Sequence, residues 1–147
     1  MSGRYGLEIR AMTPADAPGV AELLRAGGLA AEPAVLVERL ATLKRSGQAL
    51  LALEWGPPSG IIVLHWLAEL TGAPSAEASL LLVAPEERRR GIGRLLLKAG
   101  AQAARSAGCG ALRLRASAGG DALLAFCRAS GFVEDGTALL RPLRKGG

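Results

Sequence analysis

The residues with most chemical potential in this chain sit together in Arg88-Arg89-Arg90-Gly91-Ile92-Gly93-Arg94, directly after the apolar run Leu80-Leu81-Leu82-Val83 and directly before a stretch of helical spacing. A strand running into a glycine-containing loop and then a helix makes an anion cradle. The first N–H groups of a helix have no intrahelical partners, the helix dipole adds positive potential, and glycine lets the backbone come close to a phosphate. Guanidinium groups can close around the same anion. Taken alone, a bare GxG loop reads first as a tight turn with a solvated basic run; its context is what points to an anion site. It is not a dinucleotide fingerprint, because Leu96 stands where GxGxxG needs its third glycine, and the chain has no GxxxxGK[ST] loop. A second group of candidates lies upstream. Glu77 and Ser79 fall on one face of the strand that feeds the loop, and His65 with Trp66 lies in the preceding apolar run.

The elements that must hold these residues can be read along the chain. Leu7 to Arg10 alternates as a half-buried strand, and Thr13-Pro14 offers a helix start for Val20, Leu23 and Leu24, closed by Gly27-Gly28. A second helix is predicted from Glu32-Pro33 to Ser46-Gly47, with Val37, Leu40 and Leu43 on one side. Ala49 to Trp55 and Ile61 to Leu70 flank a Gly-Pro-Pro-Ser-Gly turn and predict an antiparallel hairpin, to which Ala76 to Val83 adds a third strand packed on both faces. After the loop come a helix ending at Ala107-Gly108, a strand over Ala111 to Ala116 and a helix over Asp121 to Ser130. Short closing strands are expected at Phe132-Val133 and Ala138 to Leu143. The expected order is βααβββαβαββ, an α+β domain with a mostly antiparallel twisted sheet flanked by about four helices, and one domain over residues 1–147.

Composition narrows the partners. The chain has 147 residues, 18 Lys and Arg against 13 Asp and Glu, a net charge of +5, and only 3% aromatic residues. The charge by itself admits nucleic acid, an acidic membrane surface or a phosphorylated cofactor; the clustering of its arginines favours one localised anion, and the aromatic poverty disfavours a base-stacking surface. Two cysteines, Cys109 and Cys127, and a single histidine, His65, make a disulfide framework or a zinc site an unlikely basis for the fold, and no metal is expected. No signal pattern opens the chain, and its longest apolar stretch, Ile61 to Leu67, is too short to span a bilayer. The expectation is a cytoplasmic protein that binds neither membrane nor nucleic acid.

Arg88-x-x-Gly91-x-Gly93 with Val83 before it, followed by Ala125-Phe126-Cys127-Arg128-Ala129-Ser130-Gly131-Phe132, resembles the two motifs of the GCN5-related N-acetyltransferase (GNAT) family, and the order of elements is similar over nearly the whole chain. The resemblance implies that acetyl-CoA is the cosubstrate, with Leu81, Leu82 and Val83 pairing with its pantetheine arm. It also implies that Arg88, Arg89, Arg90, Gly91, Ile92, Gly93 and Arg94 hold its phosphates. It implies direct attack by an amine on the thioester, without an acyl-enzyme, and a catalytic base at Glu77, with Glu54 and Glu69 as weaker candidates. Where the family has a tyrosine acid for the leaving thiolate, this chain has Cys127, either an acid in its place or a buried packing thiol. His65 and Trp66 are candidates to line the acceptor pocket or to pack the strand, with His65 a less favoured base. The expected function is acetyl transfer to a small-molecule primary amine. Protein or peptide N-acetylation and non-catalytic acyl-CoA binding are the alternatives. A basic nucleic-acid-binding domain leaves the two spaced motifs unexplained. Homodimers are common in the family.

Overall fold

The structure is a computed structural model that describes residues 6–87, 91–115, 120–134, 136 and 139–143. Strand β1 (Glu8–Ala11) leads through a 3-10 turn into α1 (Ala17–Ala26) and α2 (Pro33–Leu43). Then come β2 (Gly47–Leu53), β3 (Gly60–Leu67), β4 (Ser75–Val83), α3 (Ile92–Ser106), β5 (Leu112–Leu114) and α4 (Gly120–Ala129). The five strands lie in sequence order in one sheet, antiparallel from β1 to β4 and parallel between β4 and β5. The mixed α+β architecture and the mostly antiparallel sheet are as the sequence predicts.

Alternation along the strands divides the core into two layers. Leu50, Ala52, Ile62, Leu64, Ala78 and Leu81 point to the face covered by Ile92, Leu96 and Leu97 of α3. Ala49, Leu51 and Ile61 point to the other face, under Val20, Leu23 and Leu24 of α1 and Leu40 of α2. On α2 the inward side is Leu36 and Leu40, while Val37, expected there, is exposed. Strand β4 is packed on both faces, with Leu81 buried toward α3 and Leu80 and Leu82 half-buried toward α1 and α2.

A compact polar clamp fixes the start of α1. Arg10 donates to both oxygens of Asp16 at 2.8 and 2.9 Å, and the Thr13 N–H donates to Asp16 Oδ2 at 2.7 Å. The Arg10 hydrogen bonds, helped by Thr13, hold the Asp16 carboxyl well below the usual carboxylate range. The helix expected to begin at Pro14 therefore opens with the 3-10 turn Pro14–Asp16, and regular α geometry starts at Ala17.

The expected closing strands are absent among the described residues. Phe132-Val133 and residues 139–143 belong to no strand, and Leu139, Leu140 and Leu143 are almost fully exposed. Residue 138 lies outside the described set. Leu139-Leu140-Arg141-Pro142-Leu143 lacks alternation, and Pro142 has no N–H to give to a ladder.

Candidate active site

The site grows out of an irregularity in β4. In the antiparallel register Val63 faces Leu80 and Leu64 faces Ala78, so Ser79 has no partner across β3 and forms a bulge. On the other edge β5 pairs only with Ala76, Glu77 and Ala78, ending with the bond from Arg115 N–H to the Ala78 carbonyl at 3.1 Å. From Leu80 to Val83 the strand has a strand partner on the β3 side alone, among the described residues. Main-chain donors and acceptors are thus presented along the edge that carries Leu81, Leu82 and Val83.

The end of this edge meets the N-terminus of α3. Gly91 caps the helix with φ of 79°, a left-handed conformation that glycine adopts freely. The helix's bond from Leu95 N–H to the Gly91 carbonyl is 3.1 Å, so the N–H groups of Ile92, Gly93 and Arg94 precede the intrahelical ladder. Ile92 is buried and anchors this turn in the core. Gly93 has no such structural reason. A Cβ there would meet Val83 and Phe126 at 3.7 Å, an ordinary contact, although glycine within a helix costs roughly 1 kcal/mol relative to alanine. A bare backbone at the mouth of an anion cradle is what close approach of a phosphate requires, so these residues fit an acyl-CoA. Arg88, Arg89 and Arg90 lie outside the described residues.

Beside the cradle, a cleft of about 1060 Å³ runs between α3, β5 and the end of α4, lined by Arg94, Lys98, Arg113, Arg115, Cys127 and Phe132 among others. The Cys127 thiol is buried, and burial pushes its pKa up, so it is protonated at neutral pH. The Gly-Phe pair that follows closes α4. Phe132 N–H reaches the Cys127 carbonyl at 3.0 Å and Gly131 N–H the Arg128 carbonyl at 3.2 Å, with Gly131 at φ of 94°. This is a Schellman cap, so the second sequence motif has a structural role of its own.

Glu77, expected as the base, lies opposite His65 of β3 and Arg113 of β5. Its Oε2 accepts from Arg115 Nη2 at 2.6 Å and Nε at 3.0 Å. Ser79 Oγ lies 2.7 Å from His65 Nε2. His65 lines a second cavity of about 540 Å³ beneath α2, together with Arg39, Leu40, Val63 and Leu80. Trp66 packs on the opposite face against the α3-side core, so the two neighbours do not line one pocket. Of the weaker candidates, Glu69 accepts from Ser75 Oγ at 2.9 Å and lies beyond the end of β3. Sequence reasoning missed Arg115 and the Ser79–His65 contact. The break in alternation after Ser79 was the available sign of the bulge, whereas the parallel register that brings Arg115 to Glu77 leaves no local trace.

The sequence profile of the Acetyltransferase (GNAT) family matches residues 20–132, and the chain belongs to that family. It is an acyltransferase, and the family uses acetyl-CoA as cosubstrate. Similar solved structures agree with the fold. A transcriptional regulator from Bacillus halodurans has a TM-score of 0.82 at 19% identity over 93% of this chain and 99% of that one. A ribosomal-protein-alanine N-acetyltransferase from Brucella melitensis has 0.79 at 20% over 94% and 99%. An aminoglycoside acetyltransferase from an uncultured soil sample, solved with sisomicin, has 0.79 at 20% over 96% and 98%. No curated protein matches the chain by sequence. Among the described residues no helix is long and apolar enough to cross a membrane.

Proposed function

We propose that the protein transfers the acetyl group of acetyl-CoA to a primary amine of a small molecule by direct attack. The observation that carries this reading is the edge of β4, without a strand partner beyond Ala78 among the described residues, running into the N-terminus of α3. The edge offers main-chain partners to an extended arm, and the helix end offers donors to the pyrophosphate. Leu81, Leu82 and Val83 hold the arm in this reading, and an N–H in the same stretch stabilises the negative charge that develops on the thioester oxygen. Gly91, Ile92, Gly93 and Arg94, with Arg88 to Arg90, hold the phosphates.

The amine arrives mostly as ammonium and must lose a proton before it attacks. The acidic and basic groups gathered where β4 bulges, Glu77 and His65, are the candidates to receive it. The protonated Cys127 thiol is read as packing, because a buried thiol with a raised pKa donates its proton less readily. In this reading one domain over residues 1–147 performs the whole reaction in the cytoplasm, and light scattering of the purified chain reads whether it does so as a homodimer.

The test is calorimetry with acetyl-CoA followed by turnover against spermidine, phenethylamine, sisomicin and a peptide beginning with alanine. Gly91→Asp should reduce acetyl-CoA affinity more than about a hundredfold, since it sets a negative charge at the helix end that receives the phosphates. Unchanged affinity in a folded Gly91→Asp protein would sink the reading. Turnover confined to the peptide would move the acceptor from small molecules to proteins.

A further inference from the structure

We infer that the amine's proton leaves through the Ser79 hydroxyl to the His65 imidazole, while Glu77 acts as a positioning residue from its pair with Arg115. This rests on the acetyl-transfer reading and assigns its base. Ser79 is the bulged residue of β4, at the point where pairing with β5 stops and the edge becomes available to a ligand. That position puts the residue beside the edge assigned here to the thioester, and a 2.7 Å contact ties its hydroxyl to His65 Nε2. In the tautomer protonated at Nδ1, the hydroxyl donates to Nε2 and keeps its lone pairs for an incoming N–H. Glu77 is differently placed. Its Oε2 already accepts two N–H groups from a guanidinium, which commits the carboxylate to holding the end of β5 against β4.

The surroundings of His65 suit a proton acceptor. The residue facing it on β2 is Gly47, which brings no charge. From α2 the exposed Glu38 and Arg39, of opposite sign, line the same cavity, and Val20 and Leu24 of α1 are apolar. On β4 the group opposite is Glu77, with Arg113 and Arg115 beyond it on and just after β5. This chain has one histidine, and a neutral imidazole offers a ring-nitrogen lone pair to a donated proton.

The proton balance closes. The ammonium gives one proton to Ser79 Oγ as the hydroxyl gives its own to His65, which becomes imidazolium. The freed amine forms the C–N bond, the C–S bond breaks, and the electron pair leaves on the CoA sulfur. The second proton lost by the acylated nitrogen converts that thiolate to the thiol, and His65 releases its proton to water.

The experiment measures kcat/KM against pH with the fastest of the four amines named above, alongside NMR titration of the single imidazole. Wild type should lose rate as pH falls, with a midpoint matching the NMR titration, because only neutral imidazole accepts a proton. His65→Gln, which can still bond to Ser79, should lower kcat/KM by about ten- to a thousandfold and abolish that acid limb. Ser79→Ala should fall by a similar factor and Ser79→Thr should recover most of it, with acetyl-CoA affinity and melting temperature unchanged throughout. Glu77→Gln should cost less and keep the limb. An acid limb that survives in His65→Gln, or that vanishes in Glu77→Gln, overturns the relay while acetyl transfer stands. A wild type that binds acetyl-CoA yet acetylates none of the four amines overturns the transfer reading and the relay with it.

Discussion

The two halves of β4 share a strand and a supporting helix, yet they have different surroundings. Ala76 to Ala78 runs between β3 and β5, whereas Leu80 to Val83 pairs only with β3 among the described residues. One extra residue, Ser79, separates them. The comparison teaches that this site is made by interrupting a regular element. The rigid core on both faces continues past the interruption, through Leu81 toward α3 and through Leu80 and Leu82 toward α1 and α2. The edge proposed to bind the ligand is consequently as well supported as the paired half, which is what accurate positioning of reacting groups requires.

Removing the interruption should have the largest effect. Deletion of Ser79 should let β4 pair regularly with β3, while the alternation of Leu80 to Val83 against the core is kept. Turnover should fall at least about a hundredfold, as expected when reacting groups are misplaced by an ångström or so, with circular dichroism and cooperative melting retained. A deletion variant with near-normal kcat/KM would show that the bulge is incidental.

Cys127→Ala sharpens the contrast from the far wall of the cleft. With the thiol as packing, kcat should stay within about threefold of wild type, and stability should drop by roughly 1 kcal/mol for the small volume lost. A loss of kcat beyond about a hundredfold, in a variant that binds acetyl-CoA and melts normally, would restore Cys127 as the acid.

The smallest effect is expected far from β4, at the clamp that starts α1. Because the Asp16 carboxyl is depressed in the folded chain, its stabilisation is present above the ordinary carboxylate range and is lost as pH falls through its lower folded value. Asp16→Asn should cost about 1 kcal/mol at neutral pH, discounted for the partly exposed Arg10, and the difference from wild type should shrink in acid. Denaturant melts at two pH values read this, and kcat should not change. A stability difference that grows toward low pH contradicts the account.

Much of the fold was legible because periodicity reports burial directly. The β2–β3 hairpin, the strand entering the loop and α3 follow from runs such as Leu80 to Val83 and the helical spacing of Leu96 and Ala104. The cradle was legible because glycines at a helix start leave a local mark. What escaped depends on partners distant in sequence. The Arg115–Glu77 pair spans 38 residues and exists only through a parallel register, and Ser79 meets His65 only when β3 and β4 are aligned. Adjacent in sequence, His65 and Trp66 suggested a shared pocket, but strand alternation sends them to opposite faces. Near the C-terminus, apolar residues alone suggested strands, although Pro142 and the lack of alternation argue against them.

The bulge has a consequence for how the molecule treats copies of itself. An unpaired length of strand is a template for any other strand, and an identical chain is the most abundant competitor in a concentrated solution. Here the bulged residue breaks the regular edge, and Arg94, Arg113 and Arg115 line the adjoining cleft in a chain that already carries a net charge of +5. Another copy approaching edge to edge meets a mismatched ladder and a cleft lined by more basic than acidic groups, whereas an anionic guest meets net attraction. If these residues admit the ligand as proposed, they also discourage edge-to-edge pairing of two copies, and discrimination between guest and sibling is written into the edge by charge and by one serine outside the β3 register.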